Sequence, residues 1–346
     1  MAEDKRRIGV VLFQLGGPDS LQAIEPFLFN LFSDPDIIDF PFARLGRRPL
    51  AKLISTTRAK KVQHHYQVIG GCSPIRRHTE QQARALEAEL RREGLDATCV
   101  VAMRYWHPFT TEAIEQLRAA HVAGHVDEVV LLPMYPQYSS TTTGSSLNEW
   151  DRKTKPGWPV QTHVVREFYS HPGYLDAVCE KIEATLARFP RPAEAELVFS
   201  AHSVPVSVIE KGDPYQQQIE ATVALVMEKM QRGGWRNRHR LCYQSKVGAS
   251  KWLQPSLRTT VRELAAANIK EVCIVPIAFV SDHVETLGEI DHEARELAMA
   301  LGMRQFEMTP GLNDSPAFVR ALAELVREKV RPAALSPEAE VLMAAD

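Results

Sequence analysis

Cysteine is scarce. The 346 residues hold five (Cys72, Cys99, Cys179, Cys242, Cys273), odd in number, scattered, and without a C-x-x-C pair. That argues against a disulfide framework or a cysteine zinc site and reads as reduced thiols of a cytosolic chain, mostly core filler. Charge interrupts every apolar run long before the ~18 residues that a membrane span needs. The amino terminus, MAEDKRRIGVVLFQLGG, runs straight into a Gly turn and has no signal-peptide cleavage site. Neither sign of charge dominates, with 41 Lys and Arg against 43 Asp and Glu, so nothing points to nucleic acid. The phosphate-loop pattern, G-x-G-x-x-G and G-x-S-x-G are all missing, which argues against the common nucleotide sites and the serine-hydrolase elbow.

What remains is ordinary for a soluble globular enzyme: 45% apolar and 24% charged. The length suits about two domains of ~150 residues. Short β-branched runs recur at Ile8–Gln14, Thr98–Met103, Val129–Met134 and Val160–Val165, and again at Leu197–Ala201, Leu241–Gln244, Val272–Ile277 and Gln305–Met308. Amphipathic segments fill the gaps. In DPYQQQIEATVALVMEKMQR, residues Ile219, Val223, Val226, Met227 and Met230 share one helical face, with Asp213 as N-cap, Pro214 at the first helical position and Gln216 completing a capping-box-like start. Alternating strand and helix predicts parallel βαβ units, hence an α/β protein of two similar Rossmann-like domains. The Pro-rich stretch Arg188–Glu196 is the expected boundary, giving domains 1–190 and 191–346. Ligands of such sheets bind beyond the carboxyl ends of the strands, so a cleft between the domains is the expected site.

Four stretches carry candidate chemistry. IAFVSDHVETLGEIDHE (277–293) turns from apolar strand to acids and histidines. A helix beginning near Asp282 would align Glu285, Glu289 and Glu293 in one acidic stripe, either a solvated face or a path for protons and hard cations. His202 directly follows a strand, where a neutral imidazole can take a proton or bind a transition metal, or simply serve as a cap. The loop Tyr135–Glu149 is rich in hydroxyls that could hold an anion or cap a helix. Residues 37–73 interleave apolar side chains with Arg and Lys and almost lack acids. That suits an apolar ligand with carboxylate tails, a transient membrane-surface contact, or an ordinary surface helix pair.

The strings LGGPDS, IGGCSPI, MRYWHPFTTEAI, YPQYSSTTTGSS, FSAHSVPVSVIEKGDPY, QSKVGASKWLQP and PIAFVSDHVETLGEID, in this order from about Ile8 to about Val330, resemble the ferrochelatase family. The resemblance implies insertion of Fe2+ into protoporphyrin IX to give protohaem and two protons, in a porphyrin cleft between two four-stranded parallel sheets. It implies His202 and Glu285 as catalytic and metal-associated residues, and a widened π-type turn carrying the row Glu285, Glu289, Glu293, with His283 beside it. Arg58, Tyr66, Ser73, Arg104, Tyr105, Ser245, Lys246 and Trp252 match the family's porphyrin-contacting strings. Animal-type members ligate a [2Fe–2S] cluster through a loop Cys where Ser140 stands here and three more in a tail. With Ser140 in that place and no Cys in the last residues, no such cluster and no other cofactor is expected. Gln14 and Leu15 stand where Asn and Met are common. The alternatives are a coproporphyrin ferrochelatase, a cobaltochelatase of the same fold, and a non-catalytic porphyrin carrier. The expected partners are porphyrin and Fe2+, without nucleic acid, in a monomer or homodimer in the cytoplasm. The last helix is expected to reach back onto the first domain.

Overall fold

Of eight short strands, Arg7–Gln14, Glu128–Pro133, Glu196–His202 and Glu271–Pro276 are rich in Val, Ile and Leu and almost wholly buried, the signature of parallel strands covered on both faces, while the other four are partly open. The computed structural model describes residues 7–37, 43–155, 157–246 and 250–330. The first half runs β1 (Arg7–Gln14), α1 (Ile24–Ser33), α2 (Ala43–Val68), α3 (Ile75–Arg92), β2 (Asp96–Met103), α4 (Thr110–Val122), β3 (Glu128–Pro133), a π-helical segment Ser140–Gly144 leading into α5 (Ser145–Thr154), β4 (Gln161–Val164) and α6 (Pro172–Leu186). The second half runs β5 (Glu196–His202), α7 (Val206–Glu210), α8 (Tyr215–Arg232), β6 (His239–Gln244), α9 (Leu257–Ala266), β7 (Glu271–Pro276), a π-helical segment Glu285–Ala294 leading into α10 (Arg295–Ala300), β8 (Gln305–Met308) and α11 (Pro316–Val330).

All eight expected strands are present, with ends shifted by one or two residues. They form two parallel sheets of identical order, β2-β1-β3-β4 and β6-β5-β7-β8. The faint internal likeness of the two Pro-aromatic-polar strings is also structural: each follows the third strand of its sheet and each opens into a π-helical segment. In both sheets the chain order reverses between the first and third strands, where open α/β sheets bind ligands. In the second sheet the two loops at that point start from His202, at the end of β5, and from Pro276, at the end of β7.

Two local readings change. The α8 face of Ile219, Val223, Val226, Met227 and Met230 is buried as expected, but the helix is capped by Pro214 rather than Asp213. Asp213 Oδ1 still accepts the Tyr215 N–H at 3.0 Å, while Oδ2 serves the other half of the molecule, and Gln216 bonds Glu220 instead of reaching back. The acidic segment starts with Val284 as its cap, two residues later than Asp282. Asp282 is tied down instead: its carboxylate accepts from Gly311 N–H at 3.0 Å and Asn313 Nδ2 at 2.9 Å.

The halves are stitched together. Helix α11 lies against α3 and α6, and one apolar cluster runs from Ile8 and Leu86 through Ile182 and Phe318 to Phe199 and Ile277. Gln82 Nε2 donates to Ser281 Oγ at 3.0 Å and the Asn313 carbonyl at 2.9 Å. The Tyr138 N–H donates to Gln218 at 2.7 Å. The Ser140 N–H and hydroxyl both donate to Asp213 Oδ2, at 2.7 and 2.8 Å. The buried bonds of Gln82, which leave donors unsatisfied if the surfaces part, hold the two halves in one register, and the exposed Ser140–Asp213 bonds add to them.

Candidate active site

His202 is delivered by the buried strand β5, and the hydroxyl of buried Tyr215 donates to its carbonyl at 2.8 Å. Its ring stands edge-on to Phe279, with centroids 6.2 Å apart. Its Nε2 lies 3.7 Å from Oε2 of Glu285, and both side chains keep part of their surface open, 35% and 27%. On the other side of the same oxygen, 3.7 Å away, is Nε2 of His283, which is almost fully buried. His283 Nδ1 donates to the Ser281 carbonyl at 3.2 Å, and its Nε2 faces the carboxylate. Neither Glu285 Oε2 nor His283 Nε2 has a hydrogen-bond partner in the protein. Buried polar atoms left so are rare and call for a ligand or a catalytic role. Burial alone would raise the Glu285 carboxyl. The charge that His202 carries when protonated, then His283 at 3.7 Å, then Arg58, outweigh it and hold the group at about 2.

Along the π-helical segment each acid meets a partner from a different element. Glu289 accepts the Ser245 N–H at 2.9 Å and also the Ser245 hydroxyl, a geometry for which Ser245 takes a left-handed backbone, φ 62°. Burial raises the Glu289 carboxyl, with the Ser245 hydroxyl bond opposing and the charge of Glu285 adding to the rise. Glu293, at the outer end, pairs with His65 of α2 at 2.6 Å. The stripe is therefore not a set of equivalent acids. The inner carboxyl is held ionised and the middle one holds a proton more readily than usual. The wider i→i+5 turns of a π-helix are found mostly at functional sites. Among the described residues no three His, Cys, Asp or Glu side chains are arranged to hold a metal ion, so the row is open rather than a closed coordination cage.

The lip helix α2 lies over this segment. Tyr66 is buried, and its hydroxyl is raised first by burial and then by the charge of Glu285. Arg58 is half-buried on the same helix and acts on Glu285 by its charge. Trp252, half-buried beside Pro205, has an indole N–H without an acceptor. Lys246 is exposed. Residues 38–42 of the expected lip and Val247–Ala249 of the QSKVGASKW string lie outside the described residues.

Four expected porphyrin contacts have their polar groups engaged within the protein. Arg104 pairs with buried Asp34 at 2.9 Å and donates to Ser145 at 2.8 Å. The Tyr105 hydroxyl donates to the same Asp34 at 2.5 Å. Burial would raise the Asp34 carboxyl, but Arg104, Ser145 and Tyr105 together lower it. Ser73 donates its N–H to the Pro18 carbonyl at 2.8 Å and packs so tightly on Gly17 that a Cβ there would meet Ser73 Oγ at 2.6 Å. Ser245 is committed to Glu289. These bonds fix where the four side chains sit. In the hydroxyl loop 135–149, Ser139 caps the π-helical segment, while the buried hydroxyls of Thr143 and Ser146 have no hydrogen-bond partner in the protein. Sequence reasoning missed Asp34, His65 and Gln244, whose amide links the Ser200 hydroxyl, at 2.6 Å, to the Glu285 carbonyl, at 3.4 Å. No local pattern marks them, because their partners lie far away in the chain.

Two matched Rossmann-like sheets with an imidazole facing a carboxylate row at one switch point give the chelatase fold. Solved structures share it. SirB from Bacillus subtilis with Fe3+ superposes with TM-score 0.54 at 13% identity, over 93% of this chain and 95% of that one. CbiX, described as the terminal enzyme of siroheme biosynthesis in denitrifying bacteria, gives 0.51 at 11% identity, over 94% and 100%. At such identities the likeness shows the fold alone. The ferrochelatase family model matches residues 7–330. The ferrochelatase of Thermosynechococcus vestitus is 48% identical over 325 residues, 92% of this chain and 81% of the relative. That of Aquifex aeolicus is 45% identical over 324 residues, 93% and 99%. The chain belongs to the ferrochelatase family and is an enzyme that inserts iron into a porphyrin in haem synthesis.

Proposed function

We propose that the substrate is protoporphyrin IX, metallated with Fe2+ between His202 and Glu285. The observation that carries this reading is the 3.7 Å approach of His202 Nε2 to Glu285 Oε2 across a partly open site. Metallation must remove two pyrrole protons and strip water from the ion. A neutral imidazole at His202 takes a pyrrole proton near working pH. Glu285, ionised, offers an oxygen to a hard divalent ion, and an imidazole–carboxylate pair suits Fe2+ without excluding zinc. A proton passed outward finds Glu289 a better resting place than Glu285, and Glu293 with His65 delivers it to solvent. Arg58 and Lys246 neutralise propionates, while Trp252 and the apolar side of α2 cover the ring, each Å² of buried apolar area contributing roughly 25 cal/mol.

No [2Fe–2S] cluster belongs to this reading. Ser140 occupies the loop position and commits its hydroxyl to Asp213. The protein works in the cytoplasm with α2 touching a membrane surface. In support, α2 carries no acid in its first turn, and Leu50 and Leu53 are exposed, 38% and 63%. Among the described residues no helix is long and apolar enough to cross a membrane. The test is an anaerobic absorbance assay with Fe2+ and Co2+ on protoporphyrin and coproporphyrin. Preferred turnover of protoporphyrin with Fe2+ supports the reading, and preference for coproporphyrin or Co2+ replaces it.

A further inference from the structure

At the end of the second sheet opposite His202, the chain turns into its strands through a run of cations. Arg238 precedes β6, Lys270 precedes β7 and Arg304 precedes β8, while Arg191 comes just before β5 and Arg236 just after α8. Together they line a basin of about 340 Å³, with Ile269, Glu271, Glu194 and Asn268 also in its lining. Strands of six or seven residues, at ~3.3 Å per residue, place it roughly 20 Å from the metal-insertion site.

The charges in the basin do not balance. Glu194 pairs with Arg191 at 2.6 Å, and nearly buried Glu271 is shared by Arg191 at 3.6 Å and Arg304 at 3.2 Å. Arg238 leans on buried Glu196 at 3.4 Å, a carboxylate already held by Arg240. Arg236 donates only to the Gln231 and Trp235 carbonyls, and Lys270 to the Gly302 carbonyl at 3.2 Å. Five cations therefore line one concavity with two carboxylates, a third carboxylate, Glu196, pairing with Arg238, in a chain whose net charge is −2. Like charges gathered this closely repel unless an anion joins them. Four guanidinium forks and an ammonium arranged around a bowl suit an anion with oxygens on all sides, which phosphate offers and a planar carboxylate does not. The volume lies at the small end of ligand sites.

We infer that this basin binds a small phosphorylated anion of pyrophosphate size, at a site separate from the porphyrin cleft. The probe is inorganic pyrophosphate, titrated calorimetrically into the full chain at low ionic strength, with citrate and sulfate as comparison arms. One saturable site per chain is expected, with pyrophosphate tighter than either comparison anion. The double variant Arg236→Ala/Lys270→Ala removes the two basin cations that pair with no carboxylate among the described residues. It should keep the wild-type melting temperature without ligand and weaken pyrophosphate by about tenfold or more, as the loss of charge-assisted bonds requires. Each single variant, read alone, should show a smaller loss in the same direction. No saturable binding would overturn the assignment. So would citrate binding as tightly, or binding that survives the double variant and falls in Arg58→Ala, which would place the anion in the cleft.

Discussion

Oε2 of Glu285 stands equidistant, at 3.7 Å, from Nε2 of His202 and Nε2 of His283, and has no hydrogen-bond partner of its own. One imidazole comes from the end of β5 and is partly open, while the other comes from the loop after β7 and is buried. The carboxylate is ionised by these neighbours while remaining too far from either to form a closed pair. Such an oxygen is available to an incoming cation.

His202→Ala should lower kcat for Fe2+ insertion by about 10²–10⁴-fold, the usual worth of a positioned general base. Porphyrin binding, read by quenching of protein fluorescence, should persist. Turnover near the wild-type rate would remove the proton-acceptor role.

The acidic row should be graded. Glu285→Gln should damage turnover as severely as His202→Ala. Glu293→Gln should cost far less, because Glu293 is 41% exposed and faces only His65. Equal loss at both positions in the same assay would contradict a directional path.

Glu285 also makes a pH signature. Its folded-state value, about 2, lies below the ordinary 4.5, so its ionisation stabilises the fold. That stabilisation is complete above pH 4.5 and disappears as pH falls toward about 2. In urea unfolding across this window, wild type should lose more stability than Glu285→Gln. Parallel curves would show that the carboxylate is not held down by its neighbours.

Asp34→Ala should destabilise the protein by about 3–5 kcal/mol, since it strands Arg104 with a nearly buried charge and removes the acceptor of Tyr105. Denaturant midpoints measure this. A loss below ~1 kcal/mol would mean that water replaces Asp34 without strain.

Gly17→Ala should cost roughly 1–3 kcal/mol through overpacking, because the new methyl meets Ser73 Cβ and Oγ at 2.6 Å and the Ser73 Cβ cannot swing away. The melting temperature reads the effect. An unchanged value would show that the turn shifts freely.

Much of the molecule was legible before any coordinates. The four central strands follow from β-branched runs, because strands covered on both faces tolerate little else, and the outer strands from apolar residues between helical stretches. The buried face of α8 follows from its 3.6-residue period. His202 and the acidic row were visible because polar, titratable side chains directly follow buried strands. Less legible were the exact start of the acidic segment and the cap of α8, where Asp282 and Asp213 serve distant partners instead of their own helices. Arg104, Tyr105 and Ser245 match ligand-contacting strings, and their pairing with Asp34 and Glu289 was not legible because those partners lie far off in the chain.

The sequence by itself determined two α/β halves, their strand order of events along the chain, and the chemical kinds of group near the strand ends, because periodicity and residue type act locally. Only the tertiary structure decided which of those groups meet. The 3.7 Å approach of His202 to Glu285, the clasp of His65 on Glu293 and the burial of Asp34 under Arg104 depend on how β5, β7, α1 and α2 are placed. That placement comes from apolar surfaces summed over the whole core, which no short stretch of chain contains.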